Sequence, residues 1–176
     1  MRTSEVRRVA LAEWREVRDL RLRAVRDPAA PVAFMTTLEQ ELARDEAFWR
    51  ERAAGAALSD ESAQFVAVVG DRWVGTATVL IRPAGEPEGA AGDGPARATV
   101  VGVYIDAGHR GSGILARLFD AADEWAGARG AAALTLEVHA DNARARAAYT
   151  RLGFAPTGRE FTSVIGPELE MQRALR

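Results

Sequence analysis

The run Asp106-Ala107-Gly108-His109-Arg110-Gly111-Ser112-Gly113 lies between two segments of different character. Before it, Ala98 to Ile105 (ATVVGVYI) is apolar on both faces, as a central strand is. After it, Leu115, Leu118, Phe119, Ala122 and Trp125 or Ala126 recur at helical spacing as far as Arg129-Gly130. A strand, a glycine-rich turn and a helix in that order leave the first amides of the helix without partners, at the positive end of its dipole. An anion binds there, most often a phosphate. Gly111 and Gly113 let the backbone approach it, and Arg110 places a charged fork beside it. Two other readings of these residues stay open. One is a plain tight turn. The other is a dinucleotide site with Glu137 on a ribose, although its fingerprint is G-x-G-x-x-G and Gly108, Gly111 and Gly113 read in the reverse order.

A second constellation follows, Asn142-x-x-Ala145-x-x-x-Tyr149-x-x-x-Gly153-Phe154. Asn142 is a preferred helix N-cap and Gly153 a preferred left-handed C-terminal cap, with Ala145, Ala148, Tyr149 and Leu152 on one face between them. Together the two constellations resemble the GCN5-related N-acetyltransferase superfamily, which moves an acyl group from acyl-CoA to an amine. The family's pyrophosphate loop reads Arg/Gln-x-x-Gly-x-Gly/Ala. Arg110-Gly111-Ser112-Gly113-Ile114-Leu115 matches its first five positions and departs at the sixth, where Leu115 stands for Gly or Ala. The second constellation matches the family's N-x-x-A-x-x-x-Y-x-x-x-G-F signature without a break. The match covers about a third of the chain, residues 99–154, and the element order agrees over the rest.

The resemblance implies a set of roles. Acetyl-CoA is the expected cosubstrate, with no metal. The amides of residues 110–115 would hold its pyrophosphate. Backbone groups of Val103, Tyr104 and Ile105 would pair with its pantetheine arm and stabilise the oxyanion, as an added strand does. Gly102 suits a bulge that splays this strand from the next, or is ordinary tolerance. Asn142 would bond the pantetheine, cap its helix, or both. Tyr149 is the implied general acid toward the departing sulfur; a phenol is protonated at neutral pH and can donate to a thiolate. From periodicity alone, Tyr149 is equally a half-buried core aromatic. For the base that takes the amine proton, the residues offer Glu137, read as a partly buried strand-end carboxylate, then Asp106, then water alone.

Composition narrows the rest. With no cysteine and two histidines, His109 and His139, there are no disulfides, thiolate ligands or cysteine nucleophiles, and no helical His-x-x-x-His spacing. His139 reads as a solvated loop residue. All 23 basic residues are arginine, which excludes a Schiff-base lysine and a lysine-bearing phosphate loop. A net charge of −2 gives no global attraction to nucleic acid or an anionic membrane. No apolar run reaches the ~18 residues of a membrane span and the start lacks a signal-peptide core, so a cytoplasmic protein is expected. The acceptor is left open: a small-molecule amine, such as an amine antibiotic, or a peptide. Glu39, Glu41, Asp106 and Glu160 would suit a cationic one. A non-catalytic acyl-CoA-binding or regulatory domain is the alternative function, and a homodimer is one assembly the family admits.

The elements that must position these residues are read from period and punctuation. Strands are expected at Glu5–Leu11, Gln64–Val69, Arg72–Ile81, Ala98–Ile105, Ala132–Val138, from Phe154 onward, and at Glu168–Ala174. Helices are expected at Glu13–Arg26, at Leu38–Ala54 as one piece, and after each constellation. Arg82–Arg97, rich in glycine and proline, reads as a flexible loop. The fold class is α/β, with a mixed, mostly antiparallel sheet of six to seven strands flanked by about four helices. The resemblance implies that residues 1–176 form a single N-acetyltransferase domain.

Overall fold

Among the described residues, seven strands and five helices follow one another. The computed structural model describes residues 4–82 and 96–176. In chain order the elements are β1 (Glu5–Arg8), α1 (Trp14–Val25), α2 (Leu38–Leu42), α3 (Glu46–Leu58), β2 (Ser62–Val69), β3 (Arg72–Arg82), β4 (Ala96–Ile105), α4 (Ile114–Gly127), β5 (Ala131–His139), α5 (Ala143–Arg151), β6 (Ala155–Ser163) and β7 (Gly166–Ala174). They form one sheet in the order β1-β2-β3-β4-β5-β7-β6. Every pairing is antiparallel except β4 with β5. Most of the expected Arg82–Arg97 loop lies outside the described residues; Arg82 closes β3, and Ala96 and Arg97 open β4.

The helix expected over Leu38–Ala54 is two helices. Thr37 and Gln40 form a capping box at the start of α2. Three residues after α2 ends, the Asp45 carboxylate accepts the Phe48 amide at 2.8 Å and starts α3. A second N-cap restarts the chain in a new direction even though the apolar spacing runs on.

The sheet packs a layer on each face. Leu118, Phe119 and Ala122 of α4, with Tyr149 and Phe154, lie against Val79, Val100, Leu134, Leu136 and Met171. Trp14, Val17 and Leu20 of α1 and Trp49 and Ala53 of α3 lie against Val66 and Trp73. Phe119, Tyr149 and Phe154 form an aromatic triad with ring centroids 5.4–6.1 Å apart. A buried pair ties the first layer to β7: Arg173 donates to Asp123 at 2.7 Å and to the Leu152 carbonyl at 3.2 Å, joining α4 and the end of α5.

One irregularity governs everything that follows. β4 and β5 pair from Ala96↔Ala131 to Val100↔Leu136 and then stop, although both strands run on, to Ile105 and His139. At that point Gly102 takes a φ of 61°, and Gly102 and Val103 stand opposite the single residue Ala77 of β3. This is a bulge, and it bends β4 away from β5. The remainder of β5 stays paired with β7, from Ala133↔Ala174 to His139↔Glu168. The sheet therefore has a gap in its middle.

Candidate active site

The turn after β4 has a geometry that can accept an anion. A short 3-10 turn, Ala107–His109, leads into Arg110. Gly111 (φ 74°) and Gly113 (φ 82°) are both left-handed, and a Cβ placed on either meets nothing within 4 Å, so the turn is an open cradle. The Ser112 hydroxyl donates to the His109 carbonyl at 2.5 Å and closes the turn on itself. Gly113 caps α4, and the first backbone bond into the helix runs from the Arg117 amide to the Gly113 carbonyl. Among the described residues, the amides from Gly111 to Ala116 therefore have no acceptor. No acidic residue sits in the first turn of α4 to compete for them. The sixth-position departure at Leu115 leaves this row of amides intact.

Arg110 is not a free fork. Its Nε donates to the Ile105 carbonyl at 3.1 Å, and its guanidinium pairs with Asp27, just past α1. Burial opposes the charge on Asp27, but the Ala29 amide at 2.9 Å, Arg110 and Arg144 outweigh it and hold the carboxyl below its ordinary value. The arginine thus joins the cradle to the segment after α1, a contact between residues far apart in the chain.

A cavity of about 410 Å³ fills the gap between the splayed strands. It brings together Val103, Tyr104, Ile105, Arg110, Gly111, Gly113, Leu115, Glu137, Asn142 and Tyr149. Ser112 and Ile114 do not line it: the Ser112 side chain is turned back on His109 and Ile114 is buried in the core beneath. Tyr149 is buried, and burial pushes its phenol above its ordinary value. Its hydroxyl makes no hydrogen bond among the described residues, so the proton it keeps has no protein acceptor there. Tyr104 is pushed up to about 12, by burial first and then by the Asp106 carboxylate beside it.

Asn142 does cap α5, accepting the Ala145 amide at 3.2 Å, and its amide nitrogen also donates to the Val32 carbonyl at 3.3 Å. That second bond clamps the segment between α1 and α2 over the cavity, so Asn142 enters the site as a fastener of its wall. Glu137 is exposed rather than partly buried, and Arg159 of β6 donates to it at 3.2 Å. Asp106 does not reach the cavity. It is buried elsewhere, accepting from Arg23 at 2.6 Å and Arg72 at 3.0 Å. His139 is not a solvated loop residue. It is buried at the end of β5, with Nδ1 accepting the Asp141 amide at 3.1 Å and Nε2 facing the Ile165 carbonyl at 3.0 Å. That pattern assigns the ring proton to Nε2 and leaves neither nitrogen for a metal.

Two groups in the wall carry no local signal in the sequence. One is the segment Ala29–Phe34, which closes the cavity from the α1 side. The other is Glu168, buried on β7. The alternation in Glu168–Ala174 places Glu168, Glu170 and Gln172 on one face, but nothing local says that β7 inserts between β5 and β6.

A mixed sheet with two parallel strands forced apart, an amide-lined turn at the mouth of the gap and a phenol within it defines a coenzyme-dependent acyl-transferase class. A family model described as the acetyltransferase (GNAT) family matches residues 15–154, and the chain belongs to that family. A GNAT acetyltransferase from Streptococcus pneumoniae superposes with a TM-score of 0.76 at 15% identity, over 99% of this chain and 100% of that one. A ribosomal-protein alpha-N acetyltransferase in complex with coenzyme A superposes with a TM-score of 0.73 at 15% identity, over 99% and 96%. A nourseothricin acetyltransferase is 31% identical over 66% of each chain, with a TM-score of 0.56. No curated protein matches significantly.

Proposed function

We propose that the protein transfers the acetyl group of acetyl-CoA to the primary amine of a small molecule or peptide, by direct attack in a ternary complex. One observation carries this reading. The break in the β4–β5 ladder after Val100↔Leu136 places a free strand edge, an amide cradle and an unbonded buried phenol around a single cavity. When bound, acetyl-CoA supplies a thioester, whose carbonyl carbon is the electrophile.

The chain's own groups supply the rest. The Gly111–Ala116 amides and the dipole of α4 neutralise phosphate charge. The unpaired edge of Val103–Ile105 offers backbone amides to the pantetheine arm and to the developing oxyanion. Glu137, which lines the cavity where Asp106 does not, takes the amine proton directly or through a water. Tyr149 gives its phenolic proton to the departing sulfur. A phenol kept protonated by burial suits that task, since it can donate throughout the physiological range. The likeness to a nourseothricin acetyltransferase supports an acceptor that is not a protein, and the low-identity neighbours carry the fold alone.

The test is thiol release from acetyl-CoA across an amine panel, with calorimetric CoA binding in parallel. The expected result is turnover of at least one amine, lost in Tyr149→Phe while CoA still binds. Tight CoA binding with no turnover of any amine would establish a non-catalytic binding domain instead.

A further inference from the structure

We infer that Glu168, in the cavity wall, seats a positively charged primary amine, so that the acceptor enters as an ammonium ion and gives one proton to water before the free amine attacks. Glu168 lines the cavity, is only 5% exposed, and its Oε1 is sealed from solvent without a hydrogen-bond partner. No donor among the described residues reaches its other oxygen either. The two other carboxylates in the wall are different. Asp27 is paired with Arg110 and Glu137 with Arg159. His139, directly across from Glu168 in the β5–β7 pairing, has both ring nitrogens committed elsewhere. A buried carboxylate without a partner is costly, and the natural way to satisfy it is a ligand that brings the donors.

Another part of the same cavity wall shows which ligand. There the Gly111–Ala116 amides offer donors and no acceptor, which suits the phosphates of the cosubstrate. At Glu168 the offer is reversed, a buried carboxylate to which no described side chain donates. An ammonium group carries three donors and the matching charge. A neutral alcohol or amide leaves the charge uncompensated, and an amine flanked by its own carboxylate brings a second negative charge toward Glu168. The acceptor class is therefore a cationic alkylamine without an adjacent anionic group. Of the acidic residues expected to favour a cation, Asp106 and Glu41 are spent on arginines, Glu39 and Glu160 are exposed, and none of the four lines the cavity.

This inference rests on the acetyl-transfer reading for the name of the ligand but can be measured without turnover. The probes are n-butylamine and its neutral counterpart n-butanol, titrated into the protein with and without CoA and followed by backbone amide shifts. In the native protein butylammonium should shift the Glu168 and Leu169 amides saturably and bind at least about tenfold more tightly than butanol. Glu168→Gln should erase that preference while leaving CoA affinity within error and the thermal midpoint no lower, since it removes an uncompensated buried charge. Glu168→Asp, which keeps the charge, should keep the preference, and Glu160→Gln should change nothing. Equal binding of the two probes, or an undiminished preference in Glu168→Gln, overturns the inference. Butylammonium binding at Glu168 with no thiol release from any amine overturns the acetyl-transfer reading and leaves this site standing.

Discussion

Two parts of the cavity wall solve opposite electrostatic problems with different materials. The cradle at Gly111–Ala116 is main chain, contiguous in sequence, and its donors come from the geometry of one turn and one helix start. The other part is side chain, with Glu137 from β5, Glu168 from β7 and the braces Arg159 from β6 and Asn142 ahead of α5. Main-chain donors are insensitive to most substitutions, since almost any residue supplies an amide. Side-chain acceptors change charge with a single substitution. A fold built this way can hold its cosubstrate constant while its acceptor varies.

The sharpest way to break that division is to remove the proposed proton donor. Tyr149→Phe should lower kcat on the order of a hundredfold or more, with CoA affinity unchanged in calorimetry, because the ring stays in its aromatic triad. Phe154→Ala attacks the shared support instead. It should cost about 3–5 kcal/mol in chemical denaturation and weaken both parts together. Glu137→Gln should lower kcat by about ten- to a hundredfold with little change in CoA binding; a larger loss of CoA affinity than of kcat would erase the contrast between the parts. Gly113→Ala tests the main-chain part alone. At a φ of 82° a Cβ strains the backbone by about 1–2 kcal/mol, so CoA affinity should fall while amine selectivity holds.

Two pH measurements sharpen the comparison with smaller effects. Tyr104 and Tyr149 are the chain's two tyrosines, and both sit above the ordinary phenol range. Tyrosinate absorbance should therefore stay flat through pH 10 in the folded protein and rise only near 12 or on unfolding. The unfolded chain ionises first, so stability should fall as pH climbs above about 10. Asp27 runs the other way. Its folded value is depressed, so its contribution is complete above the ordinary carboxyl value of 3.8 and disappears as pH falls through the lower folded value. The stability gap between native protein and Asp27→Asn should close on acidification.

Much of the cradle is legible in the amino-acid sequence. Gly111, Gly113 and the apolar strand ahead of them lie within a dozen residues, and a turn of that kind is decided by local sterics. The left-handed cap at Gly153 and the helix that carries Tyr149 are legible for the same reason, whereas at Gly102 the sequence left a bulge and ordinary tolerance both open. Two features are not. The Asp45 cap splits α2 from α3 where continuous apolar spacing hides a restart. The burial of His139 depends on Ile165, which the chain reaches only after α5 and β6.

The sequence by itself determined most of the succession of elements along the chain, the glycine turn and the phenol-bearing helix, since each depends on neighbours a few residues away. Only the tertiary structure decided that Arg110 is tied to Asp27, that Asp106 belongs to Arg23 and Arg72, and that Glu168 stands unpartnered in the wall. Those outcomes depend on which strands lie side by side, and the β5-β7-β6 order sets side chains together that the chain keeps many residues apart.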